Sequence, residues 1–175
     1  MDPIRSGRTA HLPLRQAGRT AHHPAASGCS LLKERNIMNS SKNVSIMCFH
    51  DELCQVFNAL MTALSLLRNG ARVTVFFGSR GVLAVHKDHV GNLSCMPDMP
   101  EQGAAVMKRM DELDLPLLED MFVALVAEGA TLLACPLNIP LFGMSAADLV
   151  DGVKVADPAT YYRDVVIPAD MNLTF

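Results

Sequence analysis

The sequence predicts an α/β protein, a three-layer α/β/α sandwich around a mainly parallel sheet of about five strands. Short runs rich in Val, Phe and Leu alternate along the chain with segments whose apolar residues recur at helical spacing. The first two predicted strands flank one helix within about thirty residues, which indicates a βαβ unit and parallel pairing. No apolar stretch reaches the ~18 residues that a membrane span requires.

The first strand begins at Asn43 and reads as mostly buried. Apolar residues of the helix that follows fall on one face, with Asp51 expected to cap its start and Gly70 to end it. That face consists of Leu53, Val56, Phe57, Leu60, Leu64 and Leu67. A second strand is predicted from Arg72 to Phe77, and it completes the βαβ unit.

The middle of the chain is less regular. We predict a short helix over 80–87 and a loop over 88–103, where Pro97 and Pro100 interrupt any periodic structure. A helix over 106–113 follows the loop.

The last part of the chain alternates again. A helix is predicted over 118–125, with Pro116 in its first turn, and a short final helix starts at Asp157-Pro158. Three further strands are predicted, over 131–134, 153–155 and 172–175.

Charge divides the chain into two parts. Residues 1–37 hold six basic and two acidic side chains, which leaves nine basic and sixteen acidic ones in the rest, net −7. We therefore predict a disordered basic leader over 1–42 and one domain over 43–175. There are two alternatives for the leader. It is a transit peptide, or the start of the chain is assigned too early and Met38 is the working start. The scattered basic residues of the acidic domain argue against a nucleic-acid partner.

The cysteines indicate a reducing compartment, and we expect a cytoplasmic protein. Their number is odd, they show no paired spacing, and no secretory segment precedes them. They are Cys29, Cys48, Cys54, Cys95 and Cys135. A disulfide framework is therefore not expected.

In open parallel sheets, ligands bind beyond the carboxyl ends of the strands. That rule selects His50, Asp51, Gly78, Ser79, Cys135 and Asn138 as crevice residues. Cys135 stands out because Pro136 can open a helical turn there, so that backbone N–H groups face the sulfur and favour the thiolate. The alternative is that Cys135 is a small buried apolar residue.

Cys54 is a candidate accessory thiol. It would resolve an oxidised or persulfidated Cys135 if both residues faced the same crevice. The alternative is a soft-metal site that combines Cys48, His50 and Cys54 with His86, His89 or Cys95. Because the sequence has no CxxC or HxxxH spacing, we expect neither a metal nor a cofactor.

The run from Leu132 to Gly143, followed by Asp148-Leu149-Val150-Asp151-Gly152-Val153, resembles the DsrE/DsrF-like (DsrEFH-like) sulfurtransferase-related family. The resemblance covers about residues 43–175. It is closest to a methionine-rich branch often labelled peroxiredoxin-like, as the Met-Pro loop at 96–100 indicates.

The resemblance implies a sulfur-relay protein and a possible sulfurtransferase. In that family the cysteine after the third strand, by position Cys135 here, carries a persulfide or thiosulfonate and exchanges it with TusA-like or rhodanese-like carriers. Small sulfur compounds as donors and a homo-oligomer are also implied. A hypothesis from another class stays open: a small-ligand or protein-binding module with a crevice around His50, Gly78 and Asn138, in which Cys135 only packs.

Overall fold

The computed structural model describes residues 41–175. The predictions of a leader, of Met38 as the start and of Cys29 as a leader residue lie outside the described residues. Within the described part, no helix is both long and apolar enough to cross a membrane.

The described chain contains five strands and five α-helices. The strands are β1 (Asn43–Cys48), β2 (Arg72–Phe77), β3 (Thr131–Ala134), β4 (Val153–Val155) and β5 (Met171–Thr174). The helices are α1 (Leu53–Arg68), α2 (Pro100–Glu112), α3 (Leu118–Ala127), α4 (Asn138–Leu141) and α5 (Pro158–Tyr161). Short 3-10 segments cover Ser79–Val85, Val90–Asn92 and Ala146–Asp148, and a π-helical turn, Tyr162–Val166, follows α5.

The five strands form one sheet in the order β4-β3-β2-β1-β5. Every neighbouring pair is parallel, and β1 pairs with β2 over six residues, from Asn43↔Arg72 to Cys48↔Phe77. The prediction of a mainly parallel sheet of about five strands is confirmed. All the strands therefore end at the same edge of the sheet.

Side-chain alternation on β2 separates the two faces of the sheet. The Phe77 ring packs on Phe122 of α3, with ring centroids 5.8 Å apart. The neighbouring Phe76 points to the opposite face and stacks on Tyr161 of α5 at 4.2 Å. Helices α1 and α3 pack against each other on the first face. The three-layer α/β/α arrangement is thus confirmed.

Two proline predictions were wrong. Pro100 is the first residue of α2, so the helix starts inside the segment predicted as a loop. Proline is favoured at this position because its missing N–H would have no partner within the helix. Pro116 precedes α3, which begins at Leu118, instead of lying in its first turn.

The predicted capping role of Asp51 was also wrong. Glu52 precedes the first residue of α1, and no side chain caps that end. The Asp51 carboxylate instead pairs with the guanidinium of Arg80, at 2.7 Å.

One hydroxyl pair links the sheet to α5. Ser45 of β1 is fully buried, and its Oγ lies 2.5 Å from the phenol oxygen of Tyr161, which is 1% exposed. A buried hydroxyl without a partner is costly, so each group satisfies the other. Burial raises the pKa of Tyr161, which keeps the phenol protonated at neutral pH.

We expect Tyr161→Phe to lower the free energy of unfolding by about 1–3 kcal/mol, because Ser45 then keeps a buried hydroxyl without its partner. Adding Ser45→Ala should recover part of that loss, because no unpaired hydroxyl remains. Urea unfolding measures both effects. Tyr162→Phe is the matched control, since Tyr162 is 45% exposed. A double variant no more stable than Tyr161→Phe would contradict this account.

Candidate functional site

The ends of β1, β2 and β3 are joined by backbone hydrogen bonds that continue beyond the strands. The N–H of Gly78 donates to the carbonyl of Cys48 at 3.1 Å. The N–H of Cys135 donates to the carbonyl of Phe77 at 3.0 Å. The residues that follow the three strands therefore share one edge, as the strand-end rule requires.

Ser79 and Asn138 meet at this edge. The backbone N–H of Ser79 donates to Oδ1 of Asn138 at 2.8 Å. Ser79 has a φ of 50°, a left-handed conformation that is uncommon for residues other than glycine. Two of the predicted crevice residues are thus in direct contact, and the amide of Asn138 holds the turn after β2 against the turn after β3.

A glycine that the sequence analysis did not select allows the chain to turn here. A Cβ on Gly81 would lie 2.2 Å from the carbonyl oxygen of Cys48, so only glycine fits. Gly78 has a similar but milder restriction, since a Cβ there would lie 2.8 Å from the Phe49 ring. A glycine inside a predicted short helix was the available signal for Gly81.

A cavity of about 390 Å³ lies beside the end of β1. Its wall includes the Asp51–Arg80 ion pair, whose side chains are 18% and 58% exposed, together with His89. His50 is exposed at the surface, and Cys135 does not line this cavity. The structure therefore separates the polar cavity near Asp51 from the Cys135 position.

Cys135 lies where the chain passes from strand to helix. Its carbonyl accepts from the N–H groups of Asn138 and Ile139, both at 3.2 Å, so a helical turn begins there, as expected from Pro136. The residue is 5% exposed and packs in the hydrophobic core. Leu137 and Leu141 beside it are 71% and 72% exposed. A buried thiol thus lies beneath an apolar surface turn.

The remaining described cysteines divide into a core thiol and a pair. Cys48 is fully buried, and burial raises its pKa to about 11 while its S–H donates to the carbonyl of His50 at 3.5 Å. The sulfur atoms of Cys54 and Cys95 lie 3.1 Å apart. The accessory role predicted for Cys54 towards Cys135 stays a prediction.

The described residues contain no cluster of three or more His, Cys, Asp or Glu side chains arranged to hold a metal ion. His86 and His89 stack with ring centroids 4.4 Å apart. Backbone N–H of Asp88 donates to Nδ1 of His86 at 3.0 Å, which occupies that ring nitrogen.

We expect Asn138→Ala to speed hydrogen exchange at the Ser79 amide about fivefold, because the amide loses an acceptor worth about 1 kcal/mol. Asn138→Asp keeps an oxygen at the same place and should retain the protection. Amide exchange followed by NMR makes the comparison. Equal exchange at Ser79 in the wild type and Asn138→Ala would show that this contact does not hold the turn.

Part of the chain matches a known protein family, and its fold is similar to that of solved structures. Residues 91–174 match the model of the DsrE/DsrF/DrsH-like family. No curated protein matches the chain. The ychN protein from E. coli is similar in structure, with 19% identity and a TM-score of 0.57, over 77% of this chain and 99% of that one. MTH1491 from Methanobacterium thermoautotrophicum, a protein of unknown function, shows 15% identity and a TM-score of 0.56, over 77% and 100% of the two chains.

At these identities the two structures show the fold alone. The family match is a separate observation, and its residues include β3, Cys135 and the chain up to β5. The methionine-rich branch stays a prediction, because the family match does not distinguish branches. The resemblance predicted from the run after β3 is confirmed, since residues 91–174 match the model of the DsrE/DsrF/DrsH-like family.

Proposed function

We propose that the protein carries sulfane sulfur on Cys135, as a persulfide or thiosulfonate, and passes it to the thiol of a partner. The observation that carries the proposal is the position of Cys135. It is the first residue after β3, at the carboxyl edge of a parallel sheet and within the segment that matches the family.

The proposed reaction is thiol attack on sulfane sulfur. The Cys135 thiolate attacks the outer sulfur of a persulfide donor, the donor's S–S bond breaks, and the donor leaves as a thiolate. A partner thiolate then attacks the outer sulfur on Cys135 and releases the Cys135 thiolate. Each persulfide transfer forms one S–S bond and breaks another, so it needs no external oxidant or reductant.

Access to Cys135 requires the turn after it to move. The sulfur-bearing residue is 5% exposed, and α4 begins three residues after it. The exposed side chains of Leu137 and Leu141 give this turn an apolar outer surface, which supports docking of another protein. We propose a TusA-like or rhodanese-like carrier as that partner, and a homo-oligomer as the state of the protein.

The compartment belongs to the same proposal. All four described cysteines are free thiols, so we propose that the protein acts in a reducing cytoplasm. Turnover as a sulfurtransferase requires both a donor and an acceptor, whereas a carrier needs only the loaded and unloaded states of Cys135.

Burial of Cys135 favours a second candidate function. In this alternative the protein is a binding module, Cys135 only packs, and the cavity of about 390 Å³ beside Asp51 and Arg80 holds a small ligand. The polar wall of the cavity and its separation from Cys135 support this candidate.

Mass spectrometry distinguishes the two functions. Trypsin cleaves after Arg109 and Lys154, so peptide 110–154 contains Cys135 as its one cysteine. After incubation of the reduced full chain with polysulfide or thiosulfate, this peptide should carry additional sulfur that dithiothreitol removes. Cys135→Ala should reduce the bound sulfur to background, whereas Cys54→Ser, as the control, should keep it on peptide 110–154. An unmodified peptide 110–154, or sulfur on Cys54 alone, would favour the binding module.

A further inference from the structure

Two thiols that are distant in sequence meet outside the Cys135 position. Sγ of Cys54, in the first turn of α1, lies 3.1 Å from Sγ of Cys95, which precedes α2 by five residues. The distance exceeds an S–S bond of about 2.05 Å by about 1 Å, so small side-chain movements would bring the atoms to bonding distance. Both residues are free thiols in this structure.

The backbone holds the two segments next to each other. The N–H of Leu53 donates to the carbonyl of Ser94 at 2.8 Å, so the residues that directly precede the two cysteines are already hydrogen-bonded. Helix α2 also packs closely against the Cys95 backbone, because a Cβ on Gly103 would lie 1.9 Å from the Cys95 carbonyl oxygen. Backbone contacts therefore hold the two segments next to each other, which keeps the two cysteine side chains within reach of one another.

The two thiols differ in exposure. Cys95 is 5% exposed, and burial, followed by its hydrogen bond to Cys54, raises its pKa to about 11. Cys54 is half-buried, so it is the thiol that a reagent reaches first. Such a pair matches the division of labour in thiol–disulfide exchange between an attacking and a resolving cysteine.

We propose that Cys54 and Cys95 form a second site, a dithiol that reduces small disulfide compounds and closes to an internal disulfide. The Cys54 thiolate attacks one sulfur of R–S–S–R, and the first RS⁻ leaves. Cys95 then loses its proton, attacks Sγ of Cys54 and displaces the second RS⁻. Two protein thiols are oxidised, one small disulfide is reduced, and the two thiol protons end on the two RSH products.

This site is independent of sulfur carriage on Cys135. The new disulfide would join the start of α1 to the loop before α2, in a part of the chain that the proposed sulfur transfer does not use. Its chemical readout is also separate, because the two reactions modify different tryptic peptides.

Oxidised glutathione is the probe. Trypsin cleaves after Lys42, Arg68, Lys87 and Lys108, so a Cys54–Cys95 disulfide links peptide 43–68 to peptide 88–108. Peptide 43–68 also contains Cys48, and Cys48→Ala removes that ambiguity. We expect the full chain to lose two hydrogen masses and to yield the linked pair, which dithiothreitol separates. Cys135→Ala, as the matched control, should form the same link.

The single variants test the order of attack. Cys95→Ser should accumulate the glutathione mixed disulfide on Cys54 at least about tenfold above the wild type, because no neighbouring thiol displaces it. Cys54→Ser should leave Cys95 unmodified under the same conditions. Absence of the linked pair in the wild type, a link from Cys54 to Cys135, or no mixed disulfide in Cys95→Ser would overturn the proposal. The linked peptide pair is measured on the wild-type chain, so this part of the test does not depend on whether a variant folds.

Discussion

The parallel register of β1 against β2 is the constraint on which the rest of the structure depends. Because six residue pairs match from Asn43↔Arg72 to Cys48↔Phe77, the two strands end level. The turn after β2 then crosses the end of β1. At this crossing the Cys48 carbonyl lies so close to Gly81 that no residue with a Cβ fits there. The contact of Ser79 with Asn138, and through it the turn at Cys135, follows from this placement.

Much of the fold could be predicted because its signals are local. Two runs rich in β-branched and aromatic residues, with one amphipathic helical segment between them, predict the βαβ unit over residues 43–77. In a parallel sheet the carboxyl ends of all strands lie at the same edge. The same rule selected Ser79 and Asn138 from their positions after β2 and β3, and the structure joins them by a hydrogen bond. Neither inference needed knowledge of side-chain packing.

The features that could not be predicted depend on contacts between distant segments. Cys54 and Cys95 are 41 residues apart, and no spacing rule shows that α1 and the loop before α2 bring their sulfurs together. Asp51 has the right position for a helix cap, yet the guanidinium of Arg80 lies within 2.7 Å and binds it instead. From the local sequence, Pro100 fits a loop and the first turn of a helix equally well. It is the first residue of α2 in the structure, where α2 packs on the Cys95 backbone, a contact that the local sequence does not show.

The position of β1 between β2 and β5 has a consequence for the order of folding. β1 joins a partner 29 residues away on one side, whereas Asn43 and Asp170, at the border with β5, are 127 residues apart. During synthesis, the β1–α1–β2 unit can assemble early. The other edge of β1 stays unpaired until β5 has been synthesised. For that interval β1, which is mostly buried in the folded protein, would offer unpaired backbone groups to other nascent chains, and we expect aggregation to compete with folding at this edge.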